Sequence, residues 1–103
     1  MGNPMKIRAK AVDGITEVKI LMSHIMETGQ RKNQQGEVIP AHFIEFVTVT
    51  SGERVVLHAQ WGPAVAANPY LAFKFEGGQQ GDKLKVSWVD NEGDSRSDEV
   101  AIS

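Results

Sequence analysis

The sequence predicts an all-β protein: an immunoglobulin-like antiparallel β-sandwich of about seven strands. Apolar and polar residues alternate with period two in run after run. The runs are short, and Gly-, Asp- and Asn-rich turn signals separate them. Helical spacing is nearly absent, so a layered all-β domain is the architecture left. The Cys pair and Trp spacing of antibody domains are missing, which leaves the generic sandwich.

The first run alternates Met5, Ile7, Ala9 and Ala11 with Lys6, Arg8 and Lys10, the pattern of a strand with one wet face. Asp13-Gly14 follows as a hairpin turn. In TEVKILM, residues 16–22, Val18, Ile20 and Met22 share one side and Glu17, Lys19 and Leu21 the other. HFIEFVTVT, residues 42–50, is apolar on both faces, as a central strand requires. Residues 51–53 then turn the chain into RVVLHAQW, where Val55, Leu57, Ala59 and Trp61 are expected to point inward. YLAFKF places Leu71, Phe73 and Phe75 on one face, and KLKVSWVD does the same for Leu84, Val86 and Trp88. A seventh run near 96–102 offers Val100 and Ile102. GGQQGD and DNEGDS separate these last runs with turn chemistry. Two connections exceed what hairpins need, residues 23–41 and 62–69, and such segments in sandwiches cross between sheets or form binding loops.

At 103 residues the chain is one domain, 1–103, long enough for a single core. A net charge of −2 gives no general basic field, so nucleic acid is disfavoured. No apolar run reaches the length of a membrane-spanning helix. Zero cysteines remove disulfides, thiolate nucleophiles and Cys-ligated zinc, copper and iron–sulfur centres. The start, MGNPMKIRAK, has positive charges without a following apolar segment, which taken alone points to the cytoplasm.

His24, His42 and His58 could serve as metal ligands with Met22 and Met26 as soft partners for copper, but their spacings match no closed-site pattern. No metal or cofactor is expected. DNEGDS has its glycine at position four where a calcium loop wants it at six, so a solvated hairpin turn is the better reading of Asp90, Glu92 and Asp94. GGQQGD lacks the Lys and Ser or Thr of a phosphate loop. None of the serines stands in a nucleophile elbow, so an enzyme acting alone is not expected. HIMETGQRK remains, where Glu27 pairs locally with Arg31 or Lys32, or else Arg31 offers bidentate bonding and Met22 and Met26 adaptable contact to a partner. Trp61 and Tyr70, which flank GPAVAANP, are residue types enriched at interface hot spots.

SHIMETGQRK, then VIPAHF, then WGPAVAANPYLAFKF, then VSWVDNEGDS, in that order and over essentially the whole chain, resemble the SoxZ family, one subunit of the SoxYZ carrier of bacterial sulfur oxidation. His24, Met26, Glu27, Gly29, Arg31 and Lys32 stand in that family's long-loop pattern, and Pro63, Asn68 and Pro69 in its second loop. The resemblance implies a non-catalytic immunoglobulin-like subunit that binds SoxY, whose cysteine-bearing tail carries thiosulfate-derived sulfur among other Sox enzymes that visit transiently. It also implies a periplasmic location, reached by export together with the signal-bearing partner. The residues expected to bind partners are His24, Met26, Glu27, Arg31, Lys32, Trp61, Pro63, Asn68 and Tyr70. Arg31 and Lys32 would steer anionic cargo or acidic surfaces, and His24 would hydrogen-bond a sulfonate-like group. The alternative is a small copper redox protein using His24, Met26 and His42.

Overall fold

The computed structural model describes residues 2–103, and its seven strands match the seven expected runs: β1 (Lys6–Val12), β2 (Ile15–Leu21), β3 (Ile44–Ser51), β4 (Arg54–Gln60), β5 (Tyr70–Glu76), β6 (Lys83–Asp90) and β7 (Ser95–Ala101). No helix occurs among the described residues. All pairings are antiparallel, in one sheet of order β1-β2-β5 and a second of order β4-β3-β6-β7. Asp13 and Gly14 both take positive φ, 53° and 79°, as the type I′ turn of a two-residue hairpin demands.

The inner faces fuse into one core. Val18 and Ile20 of the small sheet, with Met22 just beyond it, meet Ile44, Val47, Val49, Leu84, Val86 and Trp88 of the large one, and all are essentially inaccessible. Each such side chain contributes about 1.5–3 kcal/mol through removal from water. β3 is central, between β4 and β6, as its two apolar faces predict.

One inward assignment fails. Val49 pairs with Leu57 but Thr50 pairs with Val55, so Val56 is an extra residue in β4. This bulge reverses the alternation: Leu57, Ala59 and Trp61 keep their inward sense, Val56 packs against the core, and Val55 turns outward at 57% exposure.

The sandwich is closed on both sides. Ala11 N–H donates to Ser103 O and Ser103 N–H to Ala9 O, at 3.0 and 2.9 Å, which ties the chain end after β7 to β1. Arg96 clasps the Asp98 carboxylate, which also accepts Met5 N–H at 3.0 Å, and Arg96 donates to Gly2 O at 3.2 Å. On the other side Arg54 donates to Glu76 O at 2.9 Å and lies over the Phe75 ring, joining the edges of β4 and β5.

Candidate functional site

The two long connections meet at one end of the sandwich. Met22 N–H donates to Pro69 O, Asn68 N–H donates to His24 O, and the Asn68 side chain accepts His24 N–H, at 2.9, 2.9 and 3.2 Å. Asn68 and Met26 both hold left-handed backbone, φ 51° and 50°. For methionine that conformation costs about 1–2 kcal/mol. It persists here because its N–H donates to His24 Nδ1 and its sulfur accepts Ile44 N–H, at 3.1 and 3.4 Å.

Beneath this join lies a buried polar cluster. His24 Nε2 and His42 Nε2 both reach Asp90 Oδ2, at 3.1 and 2.7 Å. Asp90 Oδ1 accepts the backbone N–H groups of Glu92 and Asp94, at 3.0 and 2.9 Å. Asp90 therefore is no solvated turn acid, as its sequence context suggests: it is 1% exposed and accepts four donors. The turn around it does form, with Gly93 N–H donating to Asp90 O. Burial alone would raise the Asp90 carboxyl, but bonds from His24, His42 and the Glu92 amide, with the charge of His42, outweigh it and hold the group below its ordinary range. The rings of Trp88, His24 and His42 continue edge-to-face from the core outward, with centroids 5.1 and 4.7 Å apart.

His24 Nδ1 faces the Met26 N–H and so accepts, which puts the ring proton on Nε2, pointing at Asp90. Both nitrogens are thus occupied, and His24 has none left for a sulfonate-like group. His42 keeps its Nδ1 toward the surface, 3.8 Å from Glu92 Oε1. Beside the two rings opens a cleft of about 220 Å³, walled by Asn3, Ser23, Asn68 and Trp88.

The ligand atoms of His24, His42 and Asp90 lie within 4.8 Å of one another, close enough in principle for a cation. A metal on His24 Nε2 would move the proton to Nδ1, against the Met26 N–H. The Met26 sulfur is turned to the Ile44 amide. The combination His24, Met26, His42 is built as a hydrogen-bonded brace, not as a copper ligand set.

Residues 23–41, expected as a loop, pair with themselves and with the start of the next run. Glu27 and His42 form one antiparallel bridge and Lys32 and Val38 another, with Ile39 N–H donating to Arg31 O at 2.7 Å. The Asn33 side chain accepts Gln35 and Glu37 N–H and organises the tip. Residues 30–38 are all exposed, so this β-arm stands clear of the sandwich.

The profile of a protein family described as sulphur oxidation protein SoxZ matches residues 5–101. The chain belongs to the SoxZ family. No curated protein matches it significantly. Among solved structures it resembles an oxidised superoxide reductase at 14% identity, TM-score 0.64, over 96% of this chain and 86% of that one. Two reduced variants of superoxide reductase (neelaredoxin) from Archaeoglobus fulgidus resemble it at 17% and 18% identity, with TM-scores 0.62 and 0.57. They cover 99% of this chain in each case, and 90% and 87% of their own. At such identities the likeness establishes the sandwich fold and nothing of chemistry.

The residues expected to bind partners divide by depth. His24 and Met26 are buried, at 8% and 5%, and shape the surface from beneath. Glu27 accepts the Arg31 guanidinium, whose Nε lies 3.2 Å from both carboxylate oxygens. Its carboxyl is lowered by that bonding, with the Arg31 charge adding to it against partial burial. Arg31, Lys32, Pro63 and Tyr70 are exposed, Trp61 is half-buried against the core, and Asn68 clamps the loops. Met22, also expected as adaptable contact, is core at 1% exposure. The sequence offers His42 only a metal reading that its spacing does not support, and Asp90 a solvated turn, so their pairing with His24 is not visible in it. A buried acid needs partners, and HF preceding a central strand was the faint signal.

Proposed function

We propose that this SoxZ-family chain is the non-catalytic half of a heterodimeric sulfur carrier, in which it supports a SoxY subunit whose tail cysteine bears the cargo. The observation that carries the reading is the family match over residues 5–101 in a chain with zero cysteines. Holding a persulfide or thiosulfonate, or capturing it by exchange, needs a thiolate that this chain lacks. Its contribution is then shape and surface. The β-arm offers Arg31 and Lys32, and the second loop offers Pro63 and Tyr70 beside the half-buried Trp61. The His24–Asp90–His42 brace joins both ends of the first long connection and Asn68 ties the second loop to His24, which lowers the ordering cost of binding in this reading. The working compartment in this reading is the periplasm, entered as a folded passenger of the signal-bearing partner.

Co-expression with a SoxY subunit tests this. The expected result is a one-to-one heterodimer on size exclusion, with sulfur adducts confined to the partner in intact mass spectra. Covalent sulfur on this chain, or thiosulfate turnover by it alone, would overturn the proposal.

A further inference from the structure

The outer face of the β1-β2-β5 sheet carries five of the chain's 11 basic side chains, Lys6, Arg8, Lys10, Lys19 and Lys74, and only two of its 13 acidic ones, Glu17 and Glu76. All seven are exposed. A protein of net charge −2 thus keeps a positive face. The opposite outer face, built on β3 and β6, runs instead mainly through uncharged residues, Phe46, Thr48, Thr50, Ser87 and Val89, with Lys85 opposite Thr50.

The register sorts the positive face into rows. Lys10, Glu17 and Lys74 lie side by side across the three strands, and the Lys74 and Lys19 ammoniums stand 3.8 and 3.5 Å from Glu17, so that carboxylate is already shared. In the next row Arg8 is directly opposite Lys19, a like-charge cross-strand pair that disfavours the isolated sheet. Beyond it, Lys6, Leu21 and Tyr70 form the end row, and these five residues enclose a shallow groove of about 270 Å³. Tyr70 is 61% exposed and Leu21 40%. Among the described residues, neither Lys6 nor Arg8 has an ion pair.

We propose that this face is an electrostatic docking surface for acidic proteins that visit transiently, with Tyr70 and Leu21 as the apolar anchor and Lys6, Arg8 and Lys19 as the steering charges. Their identity as other sulfur-oxidation enzymes rests on the carrier reading above. Cations on alternate residues of a strand are about 6.8 Å apart. With Lys6, Arg8 and Lys19 spread over two strands in this way, the charges suit carboxylates distributed over a protein surface. Glu17 at the centre and the chain's negative charge weigh against nucleic acid. Such a face raises association rates and leaves dissociation fast, as a carrier passed between enzymes needs.

The test uses the heterodimer with SoxY as substrate of the Sox enzyme that loads thiosulfate, with kcat/KM followed against ionic strength. The combined Lys6→Gln, Arg8→Gln, Lys19→Gln variant is expected to keep the heterodimer and kcat, to lose about tenfold in kcat/KM at low salt, and to flatten the salt dependence. The Lys6→Glu, Arg8→Glu, Lys19→Glu variant should lose more. Unchanged kcat/KM and salt slope in both variants would overturn the proposal. So would dissociation of the variant heterodimer, which would make this the lasting interface, or variant-sensitive binding of a 20-mer DNA duplex by anisotropy. Failure of the unsubstituted heterodimer to form strikes the carrier reading alone. In that event amide shifts in the isolated chain titrated with poly-L-glutamate decide the docking face, which they should map to β1, β2 and β5.

Discussion

Asp90 fixes more of this molecule than any other polar group, because its four acceptor positions are filled by donors from three places in the chain. Replacing it by asparagine keeps the shape but turns a donor toward one of those partners. Asp90→Asn is therefore expected to lower stability by about 2–4 kcal/mol at pH 7, measured by urea unfolding. The carboxyl is held below its ordinary range in the folded chain, so the ionised group stabilises the fold above that range. This contribution drains away as pH falls below about 4 and through the lowered folded value. The gap between wild type and variant should shrink correspondingly between pH 5 and pH 2, and a gap that stays constant would show that the charge is not what matters. DNEGDS announces the turn that Asp90 opens, but not its histidines, which lie 66 and 48 residues away in sequence. Spacing along a chain carries no information about such a meeting; only the folded sheet register does.

Among the elements, the turns separate two effects that sequence alone merges. Gly14 and Gly78 both have positive φ, 79° and 82°, but a Cβ at Gly14 meets nothing within 4 Å whereas one at Gly78 would overlap Thr16 Oγ1 and press on Ile102 and Phe75. Thr16 is fully buried and donates to Gly77 O at 2.7 Å, so it has no room to withdraw. Gly14→Ala should then cost about 1 kcal/mol, the backbone penalty alone. Gly78→Ala should cost at least twice that, and equal unfolding midpoints for the two would refute the packing account. The strands themselves were legible because each buries one face, so that period two survives in β1, β2, β5 and β6. β4 was legible only in part: a bulge adds a residue without altering composition, and RVVL reads equally well with Val55 or Val56 inward. The β-arm was not legible, since a pair of extended segments exposed on both faces has no apolar alternation to display.

At the scale of the whole molecule, the sandwich and the arm make separable demands. The chain extends 54 Å along its long axis against 20 and 19 Å across, and its radius of gyration is 15.5 Å, where a compact chain of this length would have about 13 Å. Residues 31–38 add nothing to the buried core, whose members lie in the strands and at Met5, Met22, Met26 and Ile102. Arg31 and Lys32 are nevertheless exposed on this arm, where their charges serve no packing within the fold. Arg31 and Ile39 face each other in the arm, joined by the bond from Ile39 N–H to Arg31 O. Residues 32–38 can therefore be replaced by a two-residue Asn-Gly turn, which continues the same pairing in type I′ geometry. The shortened chain is expected to unfold within about 0.5 kcal/mol of the parent, because no buried contact is removed. Its affinity for a SoxY subunit, by titration calorimetry, should fall at least about tenfold if the arm contributes even 1.4 kcal/mol of the contact. Retained affinity would assign pairing to the outer face of the large sheet, around Phe46 and Val89, and leave the arm to other visitors.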